Sequence, residues 1–360
     1  DPGEGYTYSP EVIIAGGGGT RFWPARRKHH PKQLLNIIGD HSMLQMTVDR
    51  LQKMKNIEDI FIVTGNHLEK KIKKTISGVK TRNIIVEPSA KNTAPAIALA
   101  ALHIKQKRAD AVMGVFPADH LIVGAQKFSK TVRSAIQIAN KKKTLVTIGI
   151  EPHYPATGYG YIQYNTKSED KHLNAYPVKT FAEKPHQKLA ERFLKSGDFL
   201  WNGGMFVWNI ESFFHELNTY MPELDSQLVK IEKRILKKEN FSRLWNKIEP
   251  DSIDYGLFEK TKNIHVVRAE FEWNDLGSWN SIFDISRKTK ENNVIRGDGI
   301  VLDGKNNFIE SHDHFTAVIG QSDLVVVSTG DATLVVPKDR VEEVKRIIQH
   351  LEKTKKKDLL

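Results

Sequence analysis

From residue 59 to residue 150 the chain alternates short β-branched runs with amphipathic stretches, and this alternation restricts its fold more than any single motif does. Runs at 59–63, 84–86, 111–116 and 144–150 read as strands. Between them, a stretch capped by Asn66 and the segments 94–107 and 126–139 read as helices. Ser42-Met43-Leu44-Gln45 opens an earlier helix through Leu51 and Met54 as a capping box. Repeated βα units with continuously apolar strands need helices on both faces of a largely parallel sheet, so the class is α/β. In such sheets ligands gather beyond the carboxyl ends of the strands. Here those ends are Gly16-Gly17-Gly18-Gly19, Glu87-Pro88 and Pro117-Ala118-Asp119-His120, which should share one rim.

The first of these ends is the most informative. The apolar run Val12-Ile13-Ile14-Ala15 stops in four glycines followed by Thr20-Arg21-Phe22-Trp23-Pro24. Without Cβ atoms, backbone N–H groups approach a ligand closely and take positive φ, which is how a chain cradles phosphates. Arg21 and Lys32 add a planar fork and a mobile point charge. A Walker A loop would end in Gly-Lys-Ser/Thr, and a dinucleotide fingerprint would need its third glycine where Arg21 stands. A plain glycine-rich hairpin turn is the bland alternative. The basic residues and Pro31-Lys32-Gln33 favour a polyphosphate ligand.

Further on, hairpin-like pieces at 161–164 and 178–185 are interrupted by Trp201-Asn202-Gly203-Gly204-Met205-Phe206-Val207-Trp208, an insertion suited to a second substrate. Helices are expected over 210–259 with breaks near Pro222 and Pro250, then a strand at 264–271 and a polar turn at 273–279. Beyond Lys290 come short β pieces separated by Gly, Asn and Asp turns, closed by a helix at 341–353 and a frayed, solvated 353–357. The expected division is 1–290, with halves 11–150 and 151–290, followed by a small all-β module at 291–360.

Composition narrows the function classes. With no cysteine there is no disulfide, thiolate metal site or cysteine nucleophile. A formal charge of +11 suits anionic substrates, or nucleic acid as a weak second. The lysines are scattered on helical stretches, as in Lys70-Lys71-Ile72-Lys73-Lys74, which reads as a solvated face. No apolar run is long enough to span a bilayer, and residues 1–10 lack a secretory pattern, so a soluble cytoplasmic protein is expected. His29-His30 and His312-Asp313-His314 have no third ligand nearby in sequence and read as surface histidines.

The whole segment AGGGGTRFWPARRKHHPKQLL resembles the signature of the sugar-phosphate nucleotidylyltransferases, and among them the guanylyltransferases that act on mannose-1-phosphate. Ala25 departs from it, standing where many members have Ser. The resemblance runs from Val12 through the C-terminal helix and implies a Rossmann-like nucleotidyltransferase domain with a mixed, mostly parallel sheet. It also implies a short left-handed β-helix that pairs two subunits; with no room after it for the isomerase domain that fused members carry, a monofunctional enzyme is expected.

The implied reaction transfers GMP from GTP to mannose-1-phosphate. By the same resemblance Ala15, Gly16–Gly19 and Thr20 line the nucleotide, and Arg21 and Lys32 neutralise its phosphates. Asp119 and Asp275 are expected to hold Mg²⁺, which takes one or two carboxylates and fills its shell with phosphate oxygens and water. Capping and an Asx turn are their plain alternatives. The base is placed at Glu87, Asn92, Thr93 and Ala94, where a carboxylate can accept the N1–H and N2–H₂ of guanine. Gly158, Glu183, Lys184, Asn202 and Gly203 fall to the sugar phosphate. Rival readings are a pyrophosphorylase for another hexose phosphate or nucleotide, and a silent regulatory homologue that binds GDP-mannose. Retention of Arg21, Lys32, Asp119 and Asp275 argues against silence.

Overall fold

The computed structural model describes residues 7–17, 19–55, 57 and 59–360, so Gly18 of the glycine run and the first six residues lie outside the described ones. The chain packs as two units. The first takes the chain to Gly16, then Thr47–Ala118 and Ile122–Trp273; the second holds Gly17–Met46, Asp119–Leu121 and Asn274–Leu360. Packing therefore does not follow the linear boundary at residue 290.

In chain order the strands of the first unit's sheet are β1 (Glu11–Ile14), β2 (Ile60–Gly65), β3 (Ile84–Glu87) and β4 (Val112–Pro117). The short β5 (Leu121–Val123) lies outside it. The sheet continues with β6 (Leu145–Ile150), β7 (Tyr161–Tyr164), β8 (Ala175–Ala182), β9 (Phe199–Asn209) and β10 (Ile264–Arg268), while β11 (Glu272–Asn274) is again separate. The order across the nine strands is β3-β2-β1-β4-β9-β6-β10-β8-β7. The block β3-β2-β1-β4 is parallel, with Ile13 between Ile62 and Phe116, and β9 enters antiparallel to β4 and β6. The expected mixed, mostly parallel class is the observed one.

The helix Thr93–Lys107 is buried along more than half its length, Ala94–Leu102, because its alanines allow close approach on every side. Trp208 stacks on Phe213 at 4.5 Å, and Trp245 and Phe258 complete the core near them. Ser42 accepts a hydrogen bond from the Gln45 N–H at 3.1 Å, as its capping box requires. Asn66 does not cap its helix. β2 runs on through Gly65, which becomes the cap position, so Asn66 is already the first helical residue. Nor is the lysine run uniformly solvated. Lys70, Lys73 and Lys74 are exposed, but Lys71 is half-buried and burial lowers its pKa. The expected strand 264–271 ends at Arg268, whose guanidinium turns out to Glu151 at 2.8 Å, and residues 272–274 form β11 instead.

In the second unit, β12 (Val294–Leu302), β13 (Phe308–Ile319) and β14 (Leu324–Ser328) are parallel neighbours, and β15 (Thr333–Pro337) returns antiparallel to β14. Parallel strands joined by short turns are the coils of a β-helix. Val294, Phe308 and Val325 stack in register and are all buried. The corners stack too. Asn292, Asn306 and Asp323 share a left-handed φ of 59°, and Asn292 donates to Asn306 (2.8 Å) as Asn306 does to Asp323 (3.2 Å). Phe22, Trp23, Trp279 and Phe308 form the core with the helix Lys345–Lys353. Residues 354–358 are exposed, yet the chain end beyond them is tied rather than frayed: the Trp23 indole donates to the Leu359 carbonyl at 2.8 Å.

Candidate active site

In the first unit, Ala15 completes the sheet rather than a loop. Its N–H donates to Val63 (2.9 Å) and its carbonyl accepts from Thr64 Oγ1 (3.2 Å). Gly16 is the first loop residue, and a Cβ there would stand 3.7 Å from Glu87 Oε1. Glu87 ends β3 with only 8% of its surface exposed, and its Oε2 has no hydrogen-bond partner among the described residues. Burial pushes its pKa up to about 7. A buried carboxyl with an unused oxygen is costly unless a ligand supplies donors.

The residues after Glu87 hold the loop in place. Asn92, at φ 70°, caps the Thr93–Lys107 helix by accepting from the Thr93 N–H at 2.8 Å. Thr93 Oγ1 accepts from the Ile253 N–H (2.9 Å), and Ala94 N–H donates to the Asp251 carbonyl (3.1 Å). Trp245 Nε1 donates to the Ser89 carbonyl at 2.7 Å. These groups of Asn92, Thr93 and Ala94 are engaged within the protein, which leaves Glu87 Oε2 as the open feature of this edge.

The acceptor candidates also lie in the first unit. A Cβ on Gly160 would stand 3.2 Å from Glu183 Oε2 and 3.5 Å from Asn202 Cβ, so those two side chains border one small space. Lys184 beside them is exposed. A Cβ at Gly158 would meet nothing within 4 Å, whereas one at Gly203 would stand 3.0 Å from the Met205 methyl and 3.1 Å from the Ile148 carbonyl, so packing favours glycine at 203. Trp201 holds the preceding loop through edge-on contacts with His153 and Tyr159, both at 5.0 Å. Burial raises the Glu183 pKa, and the neighbouring carboxylate of Asp254 adds to it. Sequence reasoning missed Asp254, which sits inside the stretch expected to be helical. Its signal was no more than the second of two aspartates, Asp251 and Asp254, shortly after Pro250.

In the second unit, four expected residues come together. Gly19 has φ +54°, and a Cβ on it would stand 2.7 Å from Lys32 Cβ, so glycine lets this loop close over Lys32. Gly17 is also at positive φ (90°), and Thr20 starts the short turn Thr20–Phe22. Lys32 is buried; its Nζ donates to the Asp275 carbonyl at 2.7 Å and pairs with Asp119 Oδ2 at 3.1 Å. Burial works to raise the Asp119 pKa, but the Lys32 charge, His120 and hydrogen bonds outweigh it and hold it below its ordinary value. A Cβ on Gly277 would stand 3.3 Å from Asp275 Oδ2 and 3.7 Å from Arg21 Nη1, which puts those two groups beside one another. Arg21 Nε also pairs with Glu342 at 2.8 Å. Lys32 thus neutralises Asp119 directly, where the sequence suggested a cation open to phosphate.

Among the described residues no group of three or more His, Cys, Asp or Glu side chains is arranged to hold a metal by itself, and His312 instead contacts Glu310 at 2.9 Å. The Lys32 ammonium meets the Asp119 carboxylate and the Asp275 main-chain carbonyl, so the Asp275 carboxylate is not part of that pair; two carboxylates suffice for a hard divalent cation that arrives with phosphate oxygens to complete its shell.

The nucleotidyl transferase family model matches residues 10–292, and a mannose-phosphate isomerase/GMP-like β-helix domain matches residues 297–351. A mannose-1-phosphate guanylyltransferase of Escherichia coli is 38% identical over 96% of this chain and 76% of its own length. One from Salmonella typhimurium is 40% identical over 95% of this chain and 72% of its own. A crystal structure from Thermus thermophilus, titled mannose-1-phosphate geranyltransferase, superposes with a TM-score of 0.87 at 27% identity, covering 96% of this chain and all of that one.

Proposed function

The chain belongs to the nucleotidyl transferase family, among its mannose-1-phosphate guanylyltransferases, and from that premise we propose that it transfers GMP from GTP to mannose-1-phosphate, yielding GDP-mannose and pyrophosphate. A sugar-phosphate oxygen attacks the α-phosphorus in line, and the bond to the β-phosphate breaks. A phosphate monoester has its second pKa near ~6, so the nucleophile is already ionised and needs no general base. What remains for the protein is positioning and charge neutralisation.

In this reading Gly16–Gly19 give backbone N–H groups to the phosphates and Arg21 faces the departing pyrophosphate. Asp119 and Asp275 would hold Mg²⁺, with Lys32 fixing both. A bound Mg²⁺ supplies neutralisation of the phosphate oxygens. Glu183 and Asn202 take the sugar hydroxyls and Lys184 its phosphate. The proposed setting is cytoplasmic; no helix among the described residues is long and apolar enough to cross a membrane.

The observation that carries the base assignment is Glu87, a buried carboxyl with an unused oxygen beside Gly16. Ionised, it can accept both N1–H and N2–H₂ of guanine; protonated, it presents a donor to a donor. Its pKa near 7 makes GTP binding expel a proton at lower pH. Affinity for GTP should therefore weaken as pH falls below 7, by at most about one decade per unit for a single linked proton. The same raised pKa makes the unliganded fold lose stability as pH rises through 7. Glu87→Gln should narrow the GTP-over-ATP preference and flatten the pH dependence that GTP's own terminal phosphate does not explain. Calorimetric titration of both nucleotides from pH 6 to 8 measures this. Unchanged selectivity and slope would move base reading to the main chain.

A homodimer through the β-helix is part of the proposal. Ile300 and Leu302 on β12, with Ile319 on β13 as the register partner of Leu302, are exposed apolar side chains that a second copy would cover. Light scattering should give about twice the chain mass of 40.9 kDa. A monomer at micromolar concentration would contradict it.

A further inference from the structure

We infer that Asp254 is a positioning residue for the acceptor sugar phosphate, acting through Asn202, an inference that rests on the acceptor assignment proposed above. Asn202 Nδ2 donates to Asp254 Oδ1 at 2.8 Å, and Asn202 Oδ1 accepts from the Gly204 N–H at 3.0 Å. An asparagine amide has two N–H donors and two acceptor lone pairs, so each side retains one. Turning the amide over would aim its oxygen at the Asp254 carboxylate and its NH₂ at the Gly204 N–H. Both contacts would repel. The pair therefore fixes which way Asn202 faces and leaves it one donor and one acceptor to offer a hydroxyl, in the space it borders with Glu183.

The backbone around Asp254 is suited to hold such a partner still. Asp254 opens a single wide turn, Asp254–Phe258, in which five residues close one ring of hydrogen bonding. That turn is tightly packed: a Cβ on Gly256 would stand 2.4 Å from the Met221 methyl. Just before it, the Ile253 N–H is held by Thr93 Oγ1 and the Asp251 carbonyl by the Ala94 N–H. Segment 251–254 is thereby pinned to the start of the Thr93–Lys107 helix. A carboxylate on a mobile loop would not orient Asn202; this one is anchored at both ends. Lys184 offsets part of the charge that Glu183, Asp254 and Glu259 concentrate here.

The test is steady-state kinetics on the full chain carrying Asp254→Ala, Asp254→Asn, Asn202→Ala, or Asp254→Ala with Asn202→Ala. Asp254→Ala should raise KM for mannose-1-phosphate roughly tenfold, the cost of releasing one charged hydrogen bond to a positioned group. KM for GTP should stay within about twofold. Asp254→Asn, whose amide oxygen accepts the same bond, should recover most of the loss. The double variant should be no worse than Asn202→Ala alone, because both act through one amide. If Asp254→Ala does not fold, Asp254→Leu removes the acceptor while keeping the volume and serves in its place. A wild-type KM for the sugar phosphate, an equal rise in KM for GTP, or multiplicative losses in the double variant would overturn the inference. If Asn202→Ala itself leaves that KM unchanged, the acceptor assignment fails first and the inference falls with it.

Discussion

Asp275→Asn is expected to lower turnover by about two to three orders of magnitude while leaving the unfolding midpoint near that of the parent, a loss of roughly 3–4 kcal/mol of transition-state stabilisation. The substitution keeps the size of the side chain and removes the charge that would bind the cation. It also spares the contact to Lys32, which is made by the Asp275 main-chain carbonyl. Asp119→Asn should lose as much activity and some stability besides, because its carboxylate is the ionic partner of Lys32. If both residues act through one cation, the double variant should be little worse than the worse single one. Multiplicative losses would show that they act independently. Mn²⁺ should restore part of the activity of a single variant, since it accepts similar oxygen ligands. Initial rates against metal concentration decide the matter. Full activity of the parent in excess chelator would end the two-carboxylate model.

Lys32→Ala should have the largest combined effect, raising the GTP requirement and destabilising the protein by about 3 kcal/mol. It deprives the Asp119 carboxylate and the Asp275 carbonyl of their shared donor at a side chain only 6% exposed. The figure belongs at the low end for a broken buried pair because the Asp119 side chain is 33% exposed and partly solvated. Asp119 has a lowered pKa, so its contribution is present above the ordinary carboxylate range and is lost as pH falls through its folded value. The stability gap between the parent and Lys32→Ala should therefore close at acid pH. Lys74→Ala, on the exposed side of the helix Asn66–Thr75, is the control for net charge; half-buried Lys71 is unsuitable. Urea unfolding and KM for GTP separate the two variants. Equal losses would point to long-range steering.

The contrast between Lys32 and Lys74 shows what a sequence reveals and what it withholds. The βα alternation was readable because buried parallel strands are continuous apolar runs; Glu87 is the last residue of β3, and Gly16 and Asp119 follow the ends of β1 and β4. The partner of Lys32 was not readable, since it depends on a strand end distant in the chain. Asp254 was hidden for the same reason: only folding brings it to Asn202. The inclusion of Gly17–Met46 with the C-terminal residues follows from Phe22 and Trp23 packing with Trp279 and Phe308, a tertiary fact with no local signature. The β-helix did leave a trace. Asn292-Asn293 and Asn306-Asn307 mark two successive corners, but the third is Asp323-Leu324 after a longer coil, so no fixed period emerges.

Pyrophosphate release measured across four nucleoside triphosphates and several hexose-1-phosphates tests the proposed activity most directly. The fastest release should come from GTP with mannose-1-phosphate in the presence of Mg²⁺. A faster rate with another nucleotide or sugar, or binding of GDP-mannose with no release from any pair, would contradict it.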